Sequence, residues 1–198
     1  MNKQKETFAE KQPLLTFAKS GRCRIAIYIG EETETVSNRI GEEEEATEER
    51  TVYAYNVGWL TPEKGVKITN EEEALAAIKA DLIAQITAYD TSSAVNGFLL
   101  NGSVEWIDIE LRMKLCSRTL PEEKKAGKTS TVLWLGNKPY ELPIETIEQI
   151  MHEIEIYAKA CLDVTNRHKT QVLALSDVSA LVAYDYTAGY PEKLSFNI

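Results

Sequence analysis

The 198 residues, 43% of them hydrophobic, suffice for one moderate domain or two small ones with a true core. A formal net charge of −9 without any basic stripe excludes broad electrostatic binding to nucleic acid. No apolar run reaches signal-peptide length at the start or about 18 residues elsewhere, so neither secretion nor a membrane partner is expected.

Residues 1–20 read as a polar N-terminal arm with one apolar patch, Pro13 to Phe17. Residues 21–69 read as a β module. Its first strand, Arg22 to Ile29, places Cys23, Ile25, Ile27 and Ile29 on one face, and its second runs from Thr51 to Leu60. Between them, residues 30–50 hold nine glutamates against Arg39 and Arg50, so −7 of the net charge sits in this one stretch. It lacks the Asp-rich, Gly-centred pattern of a calcium loop and reads as a solvated acidic loop. Thr61 to Gly65 is a turn, and Val66 to Ile68 a short strand.

A connecting helix spans 70–89. Asn70 followed by Glu73 makes a capping box, three leading glutamates complement the helix dipole, and Ala74, Ile78, Leu82 and Ile86 belong to its apolar stripe. Residues 90–198 form the rear domain. Asn101-Gly102 joins Phe98–Leu100 to Val104–Trp106 as a hairpin, because both residues tolerate positive φ. Asp108 caps a short helix to Ser117, with Arg112 one turn on, and a charged linker then ends at Gly127. A second hairpin turns at Gly136-Asn137 and leads into a long helix, Pro143 to Leu175, of about 48 Å at 1.5 Å per residue. Its stripe is Ile147, Ile150, Ile154, Tyr157, Cys161, Thr165, His168, Val172 and Leu175. Ser176 or Asp177 caps a last short helix before a turn-bearing aromatic tail. The fold class is therefore α+β, a small N-terminal β-hairpin module joined by a helix to a C-terminal domain of two hairpins and one long helix.

Few groups are spaced for chemistry. His152 and His168 stand about 160° apart around the helix, which prevents a shared ligand. Glu148, His152 and Glu155 lie at i, i+4 and i+7, a possible ligand set that an exposed helix face also carries by default. Cys161 and His168 are two turns apart, beyond reach for an activated thiolate, and read as core residues. The three cysteines lack CxxC spacing, which argues against a zinc finger or a disulfide framework and points to a reducing compartment. Trp106, Trp134 and the terminal tyrosines are candidates for a sugar or peptide platform, against the commoner role of core aromatics. No GxSxG, HExxH, GxxxxGK[ST] or GxGxxG pattern occurs, so an enzyme is not expected.

From about Tyr89 onward, YDTSSAVNGFLLNG, WIDIELR, LWL, EIYAKACLDVTNRHK and YDYTAGYPEKLSF occur in an order that resembles an uncharacterised domain of tailed-bacteriophage and prophage proteins of the tail and tail-fibre region. IELRMKLCSR, after Asp108, departs from the apolar, small-residue version of that domain. The residues matched are Trp106, Asp108, Arg112, Trp134, Tyr157, Cys161, Thr165, His168, Tyr184, Asp185, Tyr186, Gly189, Tyr190 and Pro191. The resemblance implies a non-enzymatic virion protein of the tail, neck or fibre attachment region. It would need no cofactor or metal, contact other virion proteins, and form an oligomer or ring assembled in the host cytoplasm. A transient fibre-assembly factor is the alternative.

Overall fold

A computed structural model describes residues 3–39, 45–62 and 65–198, and the fold is α+β. The chain divides into two compact units. The first holds Met1–Ile83 and Val172–Tyr184, the second Ala84–Gln171 and Asp185–Ile198. This division differs from the boundary expected at residue 90: it falls at residues 83–84, and the end of the long helix with the segment after it belongs to the first unit.

In the first unit β1 (Lys3–Phe8), β2 (Leu15–Phe17), β3 (Cys23–Arg39) and β4 (Glu45–Leu60) form one antiparallel sheet in the order β1-β4-β3-β2. The expected N-terminal arm is thus two edge strands. Ala26, Tyr55 and Val57 pack on one face with Phe8 and Tyr53, while Cys23, Ile25 and Leu60 are buried from the other side of the pleat. The 30–50 segment is also corrected. Gly30 pairs with Ala54 and the ladder continues to Arg39 opposite Glu45, so the acidic residues on either side of 40–44 are strand, not loop. Thr33, Thr35, Thr51 and Val52 supply β-branched side chains to it, and Lys5 and Arg50 pair with Glu32 and Glu34. Residues 40–44 lie outside the described residues, as do Glu63 and Lys64 of the expected turn.

Ile29 breaks the alternation. Tyr28 pairs with Tyr55 and Gly30 with Ala54, so Ile29 is the extra residue of a bulge and is 50% exposed. Residues 66–68 are not a strand; Ile68 instead donates its N–H to the Gly21 carbonyl at 2.9 Å. Gly21 sits at φ +83°, and a Cβ there would lie 2.7 Å from Lys67 Cγ. Helix α1 (Glu71–Asp90) starts as expected, with Asn70 Oδ1 accepting from the Glu73 N–H at 2.9 Å. The Glu73 carboxylate reaches back chiefly to the N–H and hydroxyl of Thr69, one residue before the cap.

In the second unit β5 (Phe98–Leu100) and β6 (Ser103–Glu105) form the first hairpin, with Asn101 at φ 50° and Gly102 at φ 80° as the turn demands. Tail strand β9 (Ser195–Phe196) joins β5 in parallel. Asp108 Oδ1 accepts from the Leu111 N–H at 2.8 Å and caps α2 (Ile109–Lys114). The helix does not stop at Ser117. It passes through one π turn, Leu115–Thr119, into α3 (Leu120–Lys125), which replaces most of the expected linker. Pro121 accounts for the wide turn. Its ring would clash with the carbonyl four residues back in a regular helix, and opening the ladder to a Leu120 N–H to Leu115 O bond relieves that clash.

The second hairpin is β7 (Ser130–Leu135) with β8 (Lys138–Pro143), followed directly by α4 (Ile144–Ala174). Phe98, Leu100, Ile107, Leu120, Leu133 and Ile147 belong to the main core of this unit. Every expected stripe residue within α4 is buried, and Leu175 lies just past its end, half-buried. Helix α5 (Val178–Val182) is capped by Asp177, whose Oδ2 accepts from the Ala180 N–H at 2.7 Å. No helix of the described residues is long and apolar enough to cross a membrane.

Candidate functional site

The side chains singled out in the sequence converge on one side of α4, where the tail crosses it. Thr165 Oγ1 donates to Asp90 Oδ1 at 2.7 Å and lies 2.8 Å from the Tyr190 hydroxyl. A threonine hydroxyl carries one proton, so with that proton on Asp90 the Tyr190 O–H must donate to Thr165. The result is a directed chain from tail to helix to the end of α1. One turn on, His168 Nε2 donates to the Ala188 carbonyl at 2.9 Å, and its ring stacks on Tyr190 at 5.9 Å. Tyr89 meets Tyr186 and Tyr190 edge-on at 5.8 and 5.4 Å, and the Tyr186 hydroxyl reaches Gln85 at 3.3 Å.

Deeper in, Tyr157 donates to the Val95 carbonyl at 3.0 Å and packs with Cys161. Burial pushes the Tyr157 phenol, the Cys161 thiol and the Tyr190 phenol up from their ordinary values. All three therefore stay protonated near neutral pH, which is the state of structural hydrogen-bond donors rather than of nucleophiles. The rest of the YDYTAGYP run shapes the tail. The Tyr184 N–H closes α5 on the Leu181 carbonyl, and Asp185 accepts from the N–H and hydroxyl of Thr187 in a tight turn that holds its carboxyl below the usual range. Gly189, at φ 79°, and half-buried Pro191 flank Tyr190. This cluster is a clasp.

Trp106 belongs to the same body, packed between the main core and the Tyr157 cluster. Trp134 does not. It is 58% exposed, on the outer face of β7 beside Val132 and opposite Pro139, which corrects the expectation of a core aromatic. The aromatics thus form no shared platform: the tyrosines are committed to the clasp and Trp134 stands apart.

A second feature was only half visible in the sequence. A groove of about 620 Å³ runs between α2, the π turn and α4, with Ile109 and Met113 on one wall and Glu148, Met151, His152 and Glu155 on the other. Arg112 lines it but is only 6% exposed; its guanidinium stacks on Trp106 at 5.1 Å, and its Nε and Nη1 have no acceptor. Its ionic partner Glu155 stands 3.6 Å away. Lys124 bridges Glu148. Cys116 opens on the groove, and burial, then the Glu148 and Glu155 charges, push its thiol up. Glu148, His152 and Glu155 share this wall, yet no three His, Cys, Asp or Glu side chains among the described residues are placed to hold a metal ion.

Periodicity on α4 marked one wall. The other carried a signal that was passed over: Ile109, Met113 and Cys116 follow helical spacing on the side away from Leu111 and Leu115, which pack on the core, so this short helix is apolar on two sides. No protein-family model, curated protein or solved structure matches this chain.

Proposed function

We propose that the chain is a non-enzymatic structural or accessory protein of a tailed-bacteriophage particle, in the tail, neck or fibre attachment region, working through contacts with other virion proteins. The observation that carries the contact role is the exposure of large apolar side chains on elements already anchored by their other face: Val132 and Trp134 on β7, and Ile109 and Met113 on α2. Water does not favour such a distribution, whereas a partner surface does. The clasp holds protonated phenols and a protonated thiol, which supports a structural role. The phage setting rests on the resemblance of residues 89–198.

One observation favours a second reading, a transient assembly factor that leaves before the particle is complete. The acidic ribbon of β3 and β4 exposes Glu31, Glu48 and Glu49, a surface suited to shielding a basic client. Quantitative mass spectrometry of gradient-purified particles separates the two. A fixed small-integer ratio to the major tail protein is the result expected for a virion component. Reproducible absence, with expression in infected cells, sinks that role in favour of the assembly factor.

A further inference from the structure

The groove on α4 is built like a seat for a helix. Both its walls are helical, and its exposed apolar surface comes from Ile109 and Met113, the second a flexible thioether that adapts to an incoming side chain, over a floor that the buried Met151 completes. Met113 is 64% exposed and Ile109 57%, although neighbouring Leu111 and Leu115 are packed into the core. The π turn widens the backbone beside them, as such turns often do at functional positions.

Charge selects among occupants. Arg112 is withdrawn beneath the groove against Trp106, so its cation is held away from the rim. Glu155 remains on that rim, 63% exposed and tied only by the 3.6 Å contact, and Glu148 stands two turns earlier, matched by Lys124. An anionic ligand would meet two carboxylates there. A ligand with no charge would leave Glu155 with only the long 3.6 Å contact to Arg112.

We infer that the groove between α2, the π turn and α4 docks an amphipathic helix of a partner protein, whose apolar face covers Ile109 and Met113 and whose marginal lysine or arginine meets Glu155. This rests on the protein-contact reading and names the chemistry of one partner. Two helical walls receive a third helix by ridge-and-groove packing, and the Glu155 carboxylate on the rim sets its orientation.

The test uses the full chain and a fluorescein-labelled model helix of leucine and lysine, about 18 residues so that it holds its helix, with a leucine–glutamate counterpart. Fluorescence anisotropy is expected to show binding of the lysine helix and not of the glutamate helix. Met113→Glu, at an exposed position that does not disturb the core, weakens it about tenfold, and Glu155→Gln about threefold. A triple change on the ribbon, Glu31→Gln with Glu48→Gln and Glu49→Gln, leaves it unaltered. Equal affinity for wild type and Met113→Glu overturns the assignment, as does loss of binding in the ribbon variant alone. Sedimentation showing a dimer that Met113→Glu abolishes gives the groove to a second copy and also overturns it. The particle measurement is independent: a protein absent from particles whose groove still binds loses the virion role and keeps the docking site.

Discussion

Thr165 shows how much one hydroxyl does in this protein. It is 1% exposed and satisfies two partners at once, donating to Asp90 and accepting from Tyr190. Valine has nearly its shape and neither capacity, so Thr165→Val strands a half-buried carboxylate oxygen and a phenol hydroxyl. The expected loss is about 2 kcal/mol, the cost of leaving buried polar groups unpaired. Serine keeps the hydroxyl and gives up one methyl, about 1 kcal/mol. Urea unfolding of the two variants distinguishes the causes: valine clearly worse than serine supports the hydrogen-bonded chain, and the reverse order means that Thr165 matters only for filling space. The same logic applies to His168, whose ring is held by an Ala188 carbonyl that exists at that point only because Gly189 turns the tail.

At the level of elements, the start of α1 joins local sequence to a measurable pH effect. Glu73 accepts from the Thr69 N–H first and then from its hydroxyl, and these bonds hold its carboxyl below the ordinary glutamate value of 4.5. A depressed carboxyl stabilises the fold above its unfolded pKa, and the contribution is lost as pH falls below about 4.5 through the folded value. Glu73→Gln is expected to flatten that part of the stability profile in acid unfolding. Asn70→Ala removes the other half of the cap, at a cost of about 1 kcal/mol throughout. An unchanged acid profile in Glu73→Gln would show that the contact with Thr69 does not stabilise the folded state. Such caps were legible because they are local: Asn70, Asp108, Asp177, Asn101-Gly102 and Gly136-Asn137 each announce a boundary within four residues. The long stripe of α4 was legible for the same reason, and it placed Tyr157, Cys161, Thr165 and His168 on one buried side. Distant pairing was not legible. The glutamates of β3 and β4 read as a loop because the ladder opposite them, and the pairing of Glu32 with Lys5 and of Glu34 with Arg50, are features of the folded sheet that the stretch does not announce. The bulge at Ile29 and the π turn before Pro121 also escaped periodicity, since each breaks the repeat on which such reading depends.

For the whole molecule, the division of the chain decides what can be cut away. A break after Tyr89, where composition and resemblance place a boundary, yields residues 90–198, and this fragment is at odds with the folded units in two ways. It carries Val172–Tyr184, which belong to the first unit and include Val172, Val178 and Leu181, all buried in the intact protein. It also lacks Ile86 and Tyr89, a buried residue of the second unit and the ring that meets Tyr186 and Tyr190 edge-on. Exposing three aliphatic side chains forfeits about 2 kcal/mol each, a large part of the net stability of a small domain. The fragment is therefore expected to aggregate on size-exclusion chromatography with light scattering. Val178→Ser with Leu181→Ser should improve its solubility, and restoring residues 84–89 should raise its resistance to protease. A monodisperse, protease-resistant 90–198 fragment without those changes would mean that the second unit folds without the segments the structure assigns to it. Whether residues 90–198 fold alone thus tests whether this chain has two domains in sequence or two units built from interleaved segments, and the continuity of α1 and α4 across the division favours the second.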